Sequence, residues 1–227
     1  MNRVFYRYRV YFSKSDQARF IGHLDLQSLF QKAFKRAKLP VAYSEGFNPH
    51  QLLSFAAPLP LGTAGKGEIL DVHLVSKMET GDIRDRLNLQ MPAGIVMLFA
   101  EEITSTNKST AALVTSATYR IVFPPNPEVE MRLENVVGNI LGAEVIEVKK
   151  KTKKGFAVTD IRQDILSLKN VSKVDETALE ATLSTGSTRN LKPEILVGYI
   201  LDTMDIDIDN IHIFYERTAI HADGGTT

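Results

Sequence analysis

From Arg3 to Phe12 the side chains alternate with a period of two. Val4, Tyr6, Tyr8, Val10 and Phe12 share one face; Phe5, Arg7, Arg9 and Tyr11 share the other. This predicts a strand with one buried and one wetted side. From Leu24 to Lys38 the period lengthens: Leu26, Leu29, Phe30, Ala33, Phe34 and Ala37 form one helical stripe, with Gln27, Gln31, Lys32, Lys35, Arg36 and Lys38 opposite. Asp25 in the first turn and cations in the last suit the helix dipole, and Pro40 stops the helix. Extended segments are expected at Val41–Ser44, Leu52–Leu61 and Glu68–Val75, with Glu45–His50 a turn by composition. Thr80 reads as the N-cap of a short helix carrying Ile83 and Leu87, and Ile95–Ile103 as a strand after Pro92 and Gly94. The order β-α-β-β-α-β is that of the ferredoxin-like split βαβ unit.

The small, polar stretch at 106–117 reads as a linker, after which the pattern repeats. Tyr119–Phe123 is a predicted strand and Glu128–Leu141 a helix. Glu144–Lys151, Phe156–Ile161 and Leu179–Ser184 are predicted strands, Pro193–Met204 a helix and Ile211–Tyr215 a closing strand. Residues 162–177 fit less well, extending a strand and then looping. The expected fold is α+β: two tandem ferredoxin-like (βαββαβ) halves with antiparallel sheets, at 1–105 and 118–218, and a frayed tail at 219–227.

The chain contains no cysteine, which excludes disulfides, thiolate nucleophiles and cysteine-held zinc or iron–sulfur centres. Neither a membrane-length apolar run nor the apolar core of a signal peptide occurs, so a cytoplasmic protein with no membrane association is expected. The formal net charge of zero conceals an asymmetry: residues 1–50 hold nine Lys/Arg against three acids. Such a basic region can meet a polyanion without a basic isoelectric point, or can be a solvated helix face.

Several residues are candidates for chemistry. His23 beside Asp25, Asp71 beside His73, and His50 in an Asn-Pro-His turn offer imidazole and carboxylate groups for acid–base work. Helix capping and a solvated strand face explain the first two pairs as well, and no metal-ligand spacing appears, so no metal site is expected. Leu61–Glu68 fails the phosphate-loop pattern on register. Ser184–Pro193, rich in hydroxyls and including Ser187, Arg189 and Lys192, leads into a helix start, where it is either an anion site or an ordinary capping turn. Phe5, Arg7, Arg9 and Tyr11 would stack bases and pair phosphates if their sheet face were open, and would be structural if it were covered.

Arg19-Phe20-x-Gly22-His23-Leu24-Asp25 is followed by Phe34-x-Arg36-Ala37-x-Leu39-Pro40-Val41-Ala42-Tyr43-Ser44-x-Gly46-Phe47-Asn48-Pro49. With Pro58-Leu59-Pro60-Leu61-Gly62, Glu68-x-x-Asp71 and Leu191-Lys192-Pro193-Glu194, these residues resemble the radical SAM-linked protein family, DUF2344. The resemblance implies a free-standing companion of a separately encoded radical SAM protein, itself without cofactor. His50 departs from the basic residue that members tend to carry there, so a phosphate contact at that position would depend on pH.

The leading expectation is an RNA-binding or substrate-presenting accessory protein of a radical SAM enzyme, acting in tRNA or rRNA modification. Arg19, His23, Lys32, Lys35 and Arg36 would face phosphate; Ser44, Asn48 and His50 would shape the site; Ser187, Arg189 and Lys192 would supply a second anion contact. The alternatives are an RNA-processing or RNA-modifying enzyme using His23, Asp25 or Asp71 as acid and base, and a structural adaptor binding only protein.

Overall fold

The first strand and helix form where the periodicity puts them. A computed structural model, which describes residues 5–104, 109–152, 155–186, 188–207, 212–222 and 225–226, has β1 at Tyr6–Lys14 and α1 at His23–Arg36. The chain is a mixed α+β protein with four α-helices among the described residues and mostly antiparallel strand pairing. It divides into two compact units, Met1–Val114 with Ala222–Thr227, and Thr115–His221. No helix among the described residues is long and apolar enough to cross a membrane.

In the first unit β1 lies between β3 (Ala64–Leu74) and β4 (Ile95–Glu102), antiparallel to both, and the short β2 (Leu53–Phe55) pairs with β3. Tyr8, Val10 and Phe12 of β1 and Leu70, Val72 and Leu74 of β3 are fully buried. They pack with Leu26, Phe30 and Phe34 of α1 and with Ile83 and Leu87 of α2 (Thr80–Asn88). Phe12, Phe30 and Phe55 form an aromatic triangle with centroids 4.8–5.9 Å apart, in the tilted and edge-on geometries that rings prefer. Arg86 of α2 donates to the carbonyls of Ala37 and Lys38, which satisfies the end of α1 with a cation.

In the second unit β5 (Val114–Phe123) lies between β10 (Phe214–Ala222) and β9 (Thr177–Ser184), with β8 (Ile165–Asn170) beyond β9. Tyr119, Ile121 and Phe123 face α3 (Pro127–Gly142) and α4 (Pro193–Thr203) across a core including Leu133, Val137, Leu196 and Ile200. The Asn126 side chain caps α3 by accepting from the N–H groups of Glu128 (3.0 Å) and Val129 (3.2 Å).

Four expectations change. The sheet takes its fourth strand from residues 165–170, whose Ile165 and Leu168 are buried, while β6 (Glu147–Thr152) and β7 (Gly155–Asp160) form a separate hairpin. Phe156 and Val158 of that hairpin are exposed, and Val148 of its lysine-rich strand is only partly buried against the core. Pairing along Leu52–Leu61 stops at Phe55, since Pro58 and Pro60 lack the N–H a ladder needs. The stretch read as a linker includes the buried Thr110 and the start of β5, while 106–108 lie outside the described residues. The closing strand spans Phe214–Ala222, so residues 219–222 belong to the sheet instead of a tail.

Two glycines give opposite expectations for alanine substitution. Gly94 has φ +86°, and a Cβ there would lie 2.7 Å from the Ser15 carbonyl oxygen, so Gly94→Ala should lower stability by about 1–3 kcal/mol. Gly138 is exposed within α3 with open space around it, and Gly138→Ala should raise stability by about 0.5–1 kcal/mol. Urea midpoints of the two variants check both signs.

Candidate functional site

Alternation along β3 turns Leu70, Val72 and Leu74 towards the helices and Asp71 and His73 to the other side of the sheet. In the β1–β3 register Arg9 lies opposite Asp71 and Arg7 opposite His73. The Asp71 carboxylate, 3% exposed, takes a 2.5 Å ion pair from Arg7 on Oδ2 and a 3.1 Å one from Arg9 on Oδ1. It also accepts from the Thr110 N–H (2.9 Å) and hydroxyl (2.7 Å). Arg9 reaches the Thr110 hydroxyl (2.6 Å) and lies 3.6 Å from Glu101. Burial alone would raise the Asp71 pKa, but the hydrogen bonds from Arg7 and Thr110 outweigh it and hold the pKa below the ordinary value.

The second face of β1 is therefore not wet. Arg9 and Tyr11 are buried; Tyr11 stacks on Phe99 with centroids 4.1 Å apart and donates to Glu101. A general base needs a free lone pair and a pKa near the working pH. Asp71 has four donors and a lowered pKa, which makes it the anchor of a structural cluster. The His73 pKa is lowered, chiefly by burial and against a backbone hydrogen bond with Leu52 that raises it, which favours the neutral imidazole.

His23 and Asp25 occupy the first turn of α1. His23 packs edge-on against Phe55 at 5.6 Å, on the helix side of the sheet, and Asp25 is exposed. The sheet thus separates His23 from Asp71, and the three acid–base candidates do not converge. No cluster of three or more metal-ligating side chains occurs among the described residues.

The cations of α1 do share a surface. Lys32, Lys35 and Arg36 are all exposed, and among the described residues none of them forms an ion pair with a carboxylate. Arg36 donates to the side chain and carbonyl of Gln90, closing one wall of a groove of about 620 Å³ that Lys32, Ser28 and Asp25 also line. Arg19 lies apart from this groove's lining, its guanidinium 4.7 Å above the Phe20 ring.

Ser44 to His50 form a stapled loop. The Ser44 N–H donates to the His50 carbonyl (2.8 Å), and the His50 N–H donates to the Ser44 Oγ (3.0 Å), which also lies 2.8 Å from His50 Nδ1. Asn48 is exposed on this loop, and Phe47 at its tip is fully exposed. Next to the staple, Gln51 donates from Nε2 to the carbonyl of Gln31 in α1, at 3.3 Å. His50 and Gln51 also border a cavity of about 250 Å³ lined by Arg7, Asp71, His73 and Ser54.

In the second anion candidate, Arg189 is engaged in contacts within the unit. Arg189 donates to Asp164 (2.6 Å) and Gln163 (3.0 Å), and the acidic Glu194 occupies the first turn of α4. Lys192 is exposed at the N-cap of α4, and Ser187 lies outside the described residues. Phe47 and Gln51 were not among the sequence candidates. The signal for Phe47 was present: an aromatic between Gly46 and Asn48-Pro49 has little within a short polar turn to pack against.

These features define a two-unit α+β protein with a cationic helix and a stapled aromatic loop in its first unit. The chain belongs to the DUF2344 family, described as an uncharacterized protein conserved in bacteria, whose profile matches residues 7–193. No curated protein matches the chain. Among solved structures, an unknown protein from Galdieria sulphuraria is 12% identical, with 94% of this chain and 99% of that one covered and a TM-score of 0.28. A candidate glycine cleavage system transcriptional repressor is 8% identical over the same shares, with a TM-score of 0.26. Neither likeness is close enough to carry an argument.

Asp71→Asn leaves Arg7 and Arg9 facing a neutral amide in a buried cluster, and should cost about 3–5 kcal/mol. Because the folded pKa lies below the ordinary 3.8, the wild-type advantage is complete above that pH. It is lost as pH falls through the folded value. Urea titrations of both proteins from neutral pH into acid check this, and an advantage that grew on acidification would contradict it.

Proposed function

We propose that the chain is an RNA-binding, substrate-presenting accessory protein, and that it serves a separately encoded radical SAM enzyme in tRNA or rRNA modification in the cytoplasm. The observation that carries the RNA reading is the outer face of α1, where Lys32 and Lys35 stand exposed without carboxylate partners among the described residues. Exposed lysines on one helix face suit phosphates, contacts that position a nucleic acid without reading its sequence. The enzyme partner rests on the resemblance carried by the block from Arg19 to Gly62. We further read each unit as ferredoxin-like. The strand order β4-β1-β3 with β2 on β3, and the order β10-β5-β9-β8, support that reading.

An acid–base enzyme finds less support, with His23 and Asp71 on opposite sides of a sheet. The test is binding of total cellular small RNA by the wild type and by a Lys32→Gln/Lys35→Gln variant, across a salt series. Wild-type affinity should fall steeply with salt, and the variant should show a log–log slope shallower by about 1–2, as expected for two lost phosphate contacts. Circular dichroism should show the variant still folded, since both side chains are exposed. Absence of wild-type binding at low salt would overturn the RNA reading.

A further inference from the structure

We propose that Phe47 is a stacking platform for one unpaired nucleobase of a single-stranded RNA, with Lys32 and Lys35 holding flanking phosphates. The proposal rests on the RNA-binding reading above and names the form of RNA that this site takes.

An aromatic ring left wholly in water carries a large apolar surface that folding has not used. The loop that presents it is built, since three contacts between Ser44 and His50 close its base. Gly46, at φ +111°, supplies a turn that a side-chain-bearing residue rarely adopts. A ring on a stapled loop has less freedom to lose on binding.

The surroundings of the ring identify its occupant. An anchor for a protein pocket is typically ringed by contacts that exclude water. Around Phe47 the exposed loop residues are instead Glu45, Gly46, Asn48, Pro49 and His50, with no Leu, Ile, Val or Met among them. A planar apolar face beside amide and imidazole groups suits a base, which stacks with its face and hydrogen-bonds with its edge. Glu45 disfavours a phosphate at the tip itself. The phosphate contacts are assigned to α1, to which Gln51 ties the end of the loop through the carbonyl of Gln31. Bases within a duplex are stacked on one another and cannot reach the ring, so the site selects single strands.

The chain has no tryptophan, so Phe47→Trp places a single indole fluorophore at the tip. The probes are a single-stranded RNA of about ten nucleotides and the duplex of the same sequence, both at low salt. Single-stranded RNA should quench the indole saturably and the duplex should not. Phe47→Ala should weaken single-strand binding about tenfold, with Phe47→Tyr close to wild type. Thermal melts should be unchanged in all three variants because the side chain is exposed. Single-strand binding that Phe47→Ala leaves intact, or saturation of Phe47→Trp without a fluorescence change, would overturn the stacking role while leaving the RNA reading standing. Failure of the wild type to bind either probe would overturn both.

Discussion

The carboxylate of Asp71 holds the first unit in register. It sits between two arginines from the neighbouring strand and accepts both the N–H and the hydroxyl of Thr110. A slip of one residue between β1 and β3 would turn these charges towards the phenylalanine core and expose Leu70 and Val72. The ion pairs do more than lock the strands. They allow Arg9 to be buried, they bring the segment at Thr110 onto the sheet, and they turn a face that looks like a nucleic-acid platform into part of the interior.

With that face used, the proposed recognition falls to the helix side and the sheet margin. Helix α1 has two roles because its two sides differ. Phe30 and Phe34 fix it against the sheet, and this rigid seat holds Lys32, Lys35 and Arg36 outward at a constant spacing. Arg86 satisfies the C-terminal carbonyls of the same helix, so those outward cations need not turn back to do so. Gln51 then ties the Ser44–His50 loop to the middle of α1. The cationic helix face and the exposed ring of Phe47 are thus carried by one continuous stretch of chain.

How much of this was legible in the sequence depended on the range of the contacts involved. The stripe from Leu26 to Ala37 and the alternation of β1 are local, and each predicts its element closely. The turn at Glu45–His50 is legible from its glycine, asparagine and proline. The choice between two hairpin-like stretches in the second half was not. The lysine-rich β6 and β7 alternate as strands do, yet the place in the sheet goes to Ile165 and Leu168, which can be buried against β9 and α3. Candidate residues divided in the same way. Lys32 and Lys35 lie outward as the helical stripe requires, whereas Asp71 and Arg189 are bound up in ion pairs made with partners distant in sequence.

By itself, the sequence determined the identity and facing of the main elements, because hydrophobic periodicity is set by backbone geometry within a few residues. It also determined which chemistries are absent, above all those of cysteine. Tertiary structure alone decided which side of the first sheet is covered. That outcome turns on Thr110 meeting Asp71 from 39 residues away and Arg9 from 101, contacts that no local pattern encodes. It follows that the same alternating Arg-Tyr strand would suit an open RNA platform or a buried ion-pair cluster, and only the arrival of a distant segment on the sheet selects the second.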